Sequence, residues 1–450
     1  MTATPAPPTD PAVRASRLPR LGRGFSALRH RNYRLFFSGQ AFSVIGSWMQ
    51  STAQSWLVVS LTSSAFALGL VNVCQFAPVL ILGLYAGVVA DRVAKRTVLL
   101  TTQAVSALLA GTLAVLVATG RVQLWNVYAL ALGLGVVNSF DMPARQALVV
   151  ELVGREDLPN AIALNSSLFN AGRLVGPAVA GALIASLGTA ACFALNAVSF
   201  LPVIVGLVMM RVPQRPRRVH ESRWAQLREG LAYVRNTPVV GLTVLLAGFV
   251  TTFGLNFGVW IPLLAKETYG VGAGQFGIFL SALGLGALIG ALSLAFYSRG
   301  AQANAMVATA AILGVGEVCL GLLASVRGPI FLALLLLPIL GFAMTSTMAM
   351  ANTTIQTATP DALRGRVLSV YLTVFSGSVP IGALISGTTA NVLGTPASIL
   401  IGGSVTALAA ALIGTRTGAL SMAMARVRRT SAQTPSTHQP AAHPTSSGKD

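Results

Sequence analysis

Charged residues are scarce in this 450-residue chain, where Asp, Glu, Lys and Arg together make up 10% of the sequence. An ordinary soluble protein has about 25%. Hydrophobic residues reach 54%, and the mean hydropathy is +0.71. This composition excludes an ordinary soluble domain. It favours a chain that crosses a bilayer many times, because each spanning helix needs about 20 apolar residues.

Acidic residues are the scarcer of the two charged classes, with 12 Asp and Glu against 31 Lys and Arg and a net charge of +19. A nucleic-acid-binding protein would collect its cations into a patch on a folded surface. Here the cations form short clusters between apolar runs, as cytoplasmic loops of membrane proteins do. The pattern therefore predicts a lipid bilayer as partner and no nucleic acid.

Several kinds of reactive group are also missing. The three cysteines, Cys74, Cys192 and Cys319, lie apart inside apolar runs, which excludes a disulfide framework and a zinc site. All four histidines lie outside the apolar runs, and no G-x-x-x-x-G-K-[ST] loop for ATP is present. No acid or histidine cluster marks a membrane face. We therefore expect no metal, no cofactor and no enzyme.

Twelve long apolar segments follow one another along the chain, and we number them 1 to 12. Their approximate limits are 33–60, 66–90, 97–119, 123–146, 159–186, 189–211, 238–265, 272–298, 303–324, 329–356, 363–391 and 394–416. The pattern predicts an all-α membrane protein with twelve transmembrane helices. The predicted parts are a cytoplasmic segment 1–24, a six-helix half 25–211, a linker 212–237, a second half 238–417, and a cytoplasmic, disordered tail 418–450.

The basic residues predict the orientation. If both termini are cytoplasmic, the cytoplasmic links and ends hold 27 of the 31 Lys and Arg residues. The outer links hold only Arg121, Lys266 and Arg327, and Arg173 lies inside segment 5. Such a bias indicates a multi-pass cell-membrane protein with both termini in the cytoplasm.

The two sets of six segments resemble each other. A shift of 206 residues lays segments 1–6 on segments 7–12. It aligns Gly176 with Gly382, Gly181 with Gly387, Gln50 with Asn256, and Gln146 with Asn352. The shift predicts two pseudo-symmetric halves in parallel, as in many secondary transporters, whose substrate site lies between the halves near the middle of the membrane.

Three stretches resemble the major facilitator superfamily. "GVVADRVAKR", residues 87–96, is similar to its signature between helices 2 and 3, with Ala94 where glycine is usual. "NAGRLVGPAVAG", residues 170–181, resembles the fifth-helix motif of exporters, and "FDMPARQALVVELV", residues 140–153, resembles the branch with the enterobactin exporter and macrolide efflux proteins. The motif residues are Gly87, Asp91, Arg92, Lys95 and Arg96 in the first stretch, and Gly172, Arg173, Gly176, Pro177 and Gly181 in the second.

The resemblance implies a gate at the cytoplasmic ends of the helices. In the family, the acid of the first signature holds the two halves together. By analogy, Asp91 would dock on the start of segment 11 near Leu363 and Arg364, where the helix dipole is positive. Arg92 or Arg96 would pair with Asp141. The alternative is that the cations only set the topology, and Asp141 pairs with Arg145 one turn away.

Few ionisable residues lie within the apolar segments, where such groups are costly and mark functional sites by default. Arg173 lies halfway along segment 5 and could bind anionic substrate groups, or could serve a structural bond. Asp141 and Glu317 are possible proton sites. The alternatives are a structural pair for Asp141 and a permanently satisfied or protonated carboxyl for Glu317.

Polar and methionine side chains mark a possible cavity. Five polar residues of segment 1 are spaced 3, 4, 3 and 4 apart, which places them on one helical face. Helices 1, 4, 7 and 10 line the cavity in the family, so we also expect candidates there; ordinary helix packing is the alternative. The candidates are Gln40, Ser43, Ser47, Gln50, Gln54, Asn138, Asn256, Trp260, Met344, Met348, Asn352 and Gln356, with Arg173.

These observations predict a secondary active transporter. We expect a monomer that exports a small amphipathic molecule, such as a drug, siderophore or metabolite, by alternating access and proton antiport. The partners would be the small molecule, protons and lipid. Two alternatives remain open at this point: an importer on the same fold, and a membrane sensor or scaffold that transports nothing.

Overall fold

The structure is a computed structural model that describes residues 25–210, 223–293 and 302–433. Within these ranges it is built from helices joined by short turns. The predicted segment 1–24 lies outside the described residues, as do residues 211–222 of the predicted linker and the end of the predicted tail. The all-α prediction is confirmed for the part of the chain that the structure describes.

The helices follow the predicted segments closely. A short 3₁₀ helix, Ser26–Arg29, precedes the first long helix, and a helix within the predicted linker spans Arg223–Asn236. The long helices are Arg31–Leu61 (segment 1), Ala65–Arg92 (2), Lys95–Ala118 (3), Leu124–Leu187 (4 and 5), Thr189–Ser199 and Leu201–Met209 (6), Ala273–Ser293 (8), Gln302–Ser325 (9), Ile330–Ala358 (10), Asp361–Leu393 (11) and Thr395–Gln433 (12).

Ten helices of the described chain are long and apolar enough to cross a membrane. The difference from the predicted twelve has two sources. The 64-residue helix Leu124–Leu187 is about 96 Å long at 1.5 Å per residue, roughly three times the thickness of the hydrocarbon core. It therefore covers segments 4 and 5, and it bends at Gly154, whose φ of 71° and ψ of −177° suit only glycine. Segment 1 is long enough, but its polar stripe lowers its hydropathy.

Two predicted segments differ from the structure. Segment 7 is not one continuous helix: it consists of Pro238–Phe249, a π-helical turn Val250–Gly254, a break at residues 255–256, Phe257–Leu263, and a second π-helical turn Leu264–Thr268. Segment 12 continues as helix to Gln433. The prediction of a disordered tail from residue 418 is therefore wrong for residues 418–433.

The two halves meet through pairs of glycines. We call the end of the bundle with Arg31 and Arg92 the linker end, and the opposite end the far end. A Cβ on Gly181 in segment 5 would lie 3.0 Å from the Cα of Gly277 in segment 8. At the pseudo-equivalent crossing of segments 11 and 2, a Cβ on Gly387 would lie 3.2 Å from the Cα of Gly69. The absence of side chains lets both helix pairs approach closely.

Polar and aromatic contacts join the halves toward the far end. The Lys266 ammonium donates to the carbonyl of Val59 at 2.5 Å. The Ser64 hydroxyl donates to the Asn391 side chain at 3.1 Å. Trp56 stacks on Phe276, with ring centroids 5.3 Å apart. Together with the glycine crossings, these contacts hold the halves against each other from mid-depth to the far end.

Candidate functional site

Arg173 lies at mid-depth where the two halves meet. Its guanidinium Nη2 lies 3.4 Å from the Sδ atom of Met344 in segment 10, and its Cζ lies 5.6 Å from the Trp48 ring centroid in segment 1. At the next residue of segment 5, the carbonyl of Leu174 accepts a hydrogen bond from Ser281 of segment 8 at 3.0 Å. A fixed cation thus touches both halves, beside an aromatic face and a polarisable sulfur.

The fifth-helix motif explains why segment 1 can come so close to Arg173. Gly172 and Gly176 face segment 1, where a Cβ on Gly172 would lie 2.8 Å from Val44 and 3.0 Å from Trp48. Trp48 fits against this glycine surface and makes an edge-to-face contact with Phe169 at 5.3 Å. The glycines therefore position an aromatic side chain beside the cation.

The candidates on segment 10 divide by depth. Met344 is 5% exposed and contacts Arg173, whereas Met348 lies half-buried, 3.9 Å from the Thr251 hydroxyl. Asn352 and Gln356, nearer the linker end, are exposed and hydrogen-bonded to each other at 2.7 Å. Met344 thus lies between the halves, Met348 contacts segment 7 of its own half, and the amides lie on an exposed surface.

The polar stripe of segment 1 serves more than one purpose. The side-chain oxygen of Gln50 accepts a hydrogen bond from Asn196 of segment 6 at 2.6 Å. Ser47 is exposed and donates to the carbonyl of Ser43 at 2.8 Å. Gln40, Ser43 and Gln54 are buried. Part of the stripe therefore packs against a neighbouring helix, which was the alternative interpretation.

The candidates on segments 7 and 4 have different surroundings. Asn256 is buried, donates to the carbonyl of Thr252 at 2.8 Å, and borders a small cavity with Asn72 of segment 2. Trp260 is fully buried and donates to the Ser398 hydroxyl of segment 12 at 3.1 Å. Its assignment to the cavity is wrong, because its ring fills the packing inside the second half. Asn138 is half-buried on segment 4.

Asp141 is the centre of a buried polar network near the linker end of segment 4. Its Oδ1 accepts hydrogen bonds from Thr102 and Gln103 of segment 3, each at 2.8 Å. Its Oδ2 accepts from the Arg145 guanidinium, whose Nε lies at 2.8 Å and whose Nη2 forms an ion pair with it. The local pair with Arg145 is confirmed, and Thr102 and Gln103 were missed. The polar run Thr101–Gln103 within an apolar segment was the available signal.

The loop signature between segments 2 and 3 is partly described. Arg96 donates to the carbonyls of Leu207 and Val208 at the end of segment 6, at 2.6 and 2.8 Å. The predicted pair between Arg96 and Asp141 is therefore wrong. Arg96 bonds to these two carbonyls instead, and Asp141 bonds to the groups of its own network. Arg92 is exposed. The side chain of Asp91 lies outside the described residues, so its docking on segment 11 stays a prediction.

The turn itself tolerates the departure from the family pattern. Ala94 has φ −56° and ψ 120°, a conformation open to any residue. Gly87 is buried in the last turns of the preceding helix, Ala65–Arg92. Lys95 pairs with Glu151 at the end of segment 4, with Nζ 2.6 Å from Oε1. Alanine at position 94 thus imposes no backbone strain.

Glu317 lies apart from these groups, inside the second half. It is fully buried, and neither of its carboxyl oxygens has a hydrogen-bond partner among the described protein groups. Among the described residues, no three His, Cys, Asp or Glu side chains are placed to hold a metal ion.

The chain matches a known protein family over most of its length. A family model described as "transmembrane secretion effector" matches residues 23–444. The chain belongs to this family of the major facilitator superfamily. It is therefore a membrane transporter rather than an enzyme, as the sequence predicted.

Among its relatives, the multidrug efflux pump Tap of Mycolicibacterium fortuitum is 31% identical over 79% of this chain and 88% of the pump. The staphyloferrin A transporter of Staphylococcus aureus is 24% identical over 80% of this chain and 89% of that protein. The enterobactin exporter EntS of Salmonella typhi is 27% identical over 80% and 85%.

Solved structures support the fold. A bacterial homolog of the human lysosomal transporter Spinster, in an inward-facing and occupied conformation, has a TM-score of 0.67 at 14% identity, covering 86% of this chain and 97% of that one. A D-xylose–proton symporter has a TM-score of 0.66 at 16% identity, covering 86% and 97%. At these identities the likeness shows the fold alone.

Proposed function

We propose that this transporter is a secondary active exporter that moves a small amphipathic molecule out of the cell by alternating access, driven by proton antiport. The observation that carries the proposal is the position of Arg173. It is a cation at mid-depth that touches both halves, next to Met344 and Trp48. Binding sites in this class of transporter lie at the interface of the repeats near the membrane midplane.

The side chains around Arg173 suggest the substrate class. The guanidinium suits a carboxylate, a phenolate or another acceptor-rich group. Trp48, Phe169 and the methionines suit an apolar or aromatic body, because thioethers adapt to irregular shapes. The relatives include a multidrug efflux pump, a staphyloferrin A transporter and an enterobactin exporter. Drugs and siderophores are molecules of this amphipathic kind.

The charge bias supports placing the linker end and both termini in the cytoplasm of a cell that carries this protein in its plasma membrane. With that orientation, the contacts that join the halves lie on the extracellular side. The exposed amides Asn352 and Gln356 lie on the cytoplasmic side. This conformation would receive substrate from the cytoplasm, as an exporter requires, and we propose that one chain suffices for the cycle.

The experiment that tests this function measures accumulation of dyes, antibiotics and siderophores in cells with and without the protein. An exporter lowers the accumulation of at least one compound, and a protonophore abolishes that effect. Cells with the empty vector control for background efflux. A rise in accumulation would show an importer, and an unchanged panel in cells where the protein reaches the membrane would favour a sensor or scaffold.

The proposed gate at the linker end has its own test. Asp91→Asn removes the charge that would dock on the positive start of segment 11 in the outward-facing state. We expect the variant to reach the membrane at normal levels but to transport slowly. The matched variant Glu156→Gln removes an acid from the link between segments 4 and 5 and should transport normally. Full activity of Asp91→Asn would remove the gate from the mechanism.

A further inference from the structure

The buried carboxyl of Glu317 has surroundings that cannot hold a charge. Glu317 is 0% exposed, and its side chain fits against glycine backbone, with its Cβ 2.7 Å from the position that a Cβ on Gly403 would take. An unpaired carboxylate in such an apolar setting is strongly unfavourable, so the group stays neutral by keeping its proton. In this conformation Glu317 is therefore a carboxylic acid with a proton to release.

The groups that face this carboxyl are few. Segments 7, 10 and 12 pack against segment 9, and segment 12 brings the Thr406 hydroxyl to the same space beside Gly254. This hydroxyl is buried and also lacks a hydrogen-bond partner among the described groups. The other ionisable groups among the described side chains of these four segments are Lys266 and Glu267 at the far end, the exposed Cys319, and Arg416 near the linker end. Proton release is thus not compensated by a neighbouring cation.

The carboxyl lies directly behind the break in segment 7. A Cβ on Gly254, the last residue of the π-helical turn, would lie 3.4 Å from Oε1 of Glu317 and 3.0 Å from Oγ1 of Thr406. Glycine at this position leaves a space that both unpartnered oxygens border. π-Helical turns and interrupted membrane helices recur at functional sites, because they free backbone groups from the regular helix.

The other side of the same break faces the interface between the halves. Asn256 leaves the helix and donates to the freed carbonyl of Thr252 at 2.8 Å. It borders the small cavity with Asn72, and a Cβ on Gly258 would lie 3.8 Å from the side-chain oxygen of Asn72. One short irregular stretch therefore contacts the buried acid on one side and the opposite half on the other.

We propose that Glu317 and Thr406, together with the break of segment 7 at Gly254, form a proton-binding site outside the substrate cavity. The proton comes from water on one side of the membrane and returns to water on the other, and no other bond is made or broken. Deprotonation leaves a carboxylate that this pocket cannot hold, so it requires segment 7 to move and admit water. The role of the site in the cycle rests on the proposed proton antiport, but its titration does not.

Difference infrared spectroscopy on the purified full chain in lipid nanodiscs tests the site with a pH jump alone, without any substrate. We expect the carbonyl band of a buried carboxylic acid to disappear as the pH rises, and Glu317→Gln to lack this band. Glu267→Gln, which removes an exposed acid of segment 7, should keep it. Backbone hydrogen exchange at residues 250–258 should rise with pH in the wild type and stay constant in Glu317→Gln.

Thr406→Val provides a second measure, since it keeps the shape and removes the hydroxyl that would donate to the carboxylate. We expect it to move the midpoint of the infrared response to higher pH. An unchanged band in Glu317→Gln would overturn the proposal. So would a wild-type band that responds to Na⁺ at constant pH, because the site would then bind sodium.

The failure of the site and the failure of the exporter function give different results. Proton-driven efflux with no titration of Glu317 would overturn the site alone. Titration of Glu317 in a protein that moves no compound would support the site and overturn the exporter function. If both hold, Glu317→Gln should lose pH-driven efflux and retain substrate exchange between equal pH values.

Discussion

The two halves of the molecule share a fold but use different chemistry at equivalent positions. A shift of 206 residues lays Asp141 on Thr347 and Gln103 on Thr309. In the first half, Asp141 accepts from Gln103 and pairs with Arg145. In the second half, the hydroxyl of Thr347 donates to that of Thr309 at 2.9 Å, and an alanine replaces the arginine. The same contact between two helices involves a carboxylate in one half and two hydroxyls in the other.

The second half also has a buried acid that the first half lacks. Glu317 of the second half is alone, and glycine stands at its equivalent in the first half, Gly111. The acid of the first half is thus bonded on both oxygens, whereas that of the second half has no partner among the described groups and forms the proposed proton site.

The two halves also differ at the position of Arg173. Its equivalent in the second half is Val379, which borders the small cavity with Asn256. The two pseudo-equivalent positions therefore differ in charge, with a cation in the first half and an apolar side chain in the second.

The largest effect should come from breaking the ionic network of the first half. Asp141→Ala leaves Arg145 without its partner and removes the acceptor for Thr102. Loss of one member of a buried ion pair costs about 3–5 kcal/mol. Thr347→Ala removes one neutral hydrogen bond, worth about 1 kcal/mol. Equilibrium unfolding in mixed SDS micelles should show this difference, and Asp141→Asn should fall between the two. Equal losses from both alanine variants would mean that the two contacts are energetically alike.

An intermediate effect should come from making positions 173 and 379 alike in charge. Arg173→Met keeps an unbranched, flexible side chain, although a shorter one, and removes its charge. A hydrogen bond to a charged group is worth about 1.5–3 kcal/mol, so the affinity for an acidic substrate should fall about tenfold to a hundredfold. Arg173→Lys should lose less, and Val379→Ala should change the affinity little. Binding to purified protein measures all three, and an unchanged affinity in Arg173→Met would make the arginine structural.

The smallest effect concerns the short lead-in to each half at the linker end. In the first half, Ser26 and His30 donate to the Asp157 carboxylate at 2.5 and 2.8 Å. Asp157 lies in the link between segments 4 and 5. In the second half, Tyr233 donates to the carbonyl of Ala358, and Glu229 pairs with Arg366. The two halves thus fasten equivalent links with different groups.

The first of these contacts has a pH dependence with a definite sign. Hydrogen bonds from Ser26 and then His30 hold the pKa of Asp157 below its ordinary value of 3.8. The contact is therefore present at neutral pH and is lost as the pH falls through that lowered pKa. Asp157→Asn should raise hydrogen exchange at residues 25–30 slightly at pH 7, and Glu229→Gln should leave these residues unchanged. A matching rise in both variants would show that the lead-ins are coupled.

The sequence predicted features that depend on local spacing. The pair between Asp141 and Arg145 follows from one helical turn, and the close helix crossings follow from glycines such as Gly181 and Gly387. Both are present in the structure. The two ends of the bundle could be assigned because hydrophobic runs alternate with short polar links. Such patterns are read along one helix and need no knowledge of its neighbours.

Features that depend on partners far along the chain were not predictable. Asn196 lies 146 residues from Gln50, and Thr102 lies 39 residues from Asp141. The break in segment 7 was missed because nothing in the sequence distinguishes Gly254 from a glycine that packs helices together. Pro262 lies beyond the break and does not mark it. Trp260 was misplaced because the periodicity of segment 7 does not reveal which of its faces packs against segment 12.

The polar stripe of segment 1 has a consequence for how the protein is made. The helix Arg31–Leu61 is not among those apolar enough to span a bilayer on its own hydropathy, whereas segment 2 is. A nascent chain that has exposed only segment 1 therefore lacks a sufficient driving force for stable insertion. We therefore expect segment 1 to enter the membrane together with segment 2 as a helical hairpin. A chain truncated after Thr62 should be extracted from microsomes by alkaline carbonate, and one that ends after Arg92 should remain.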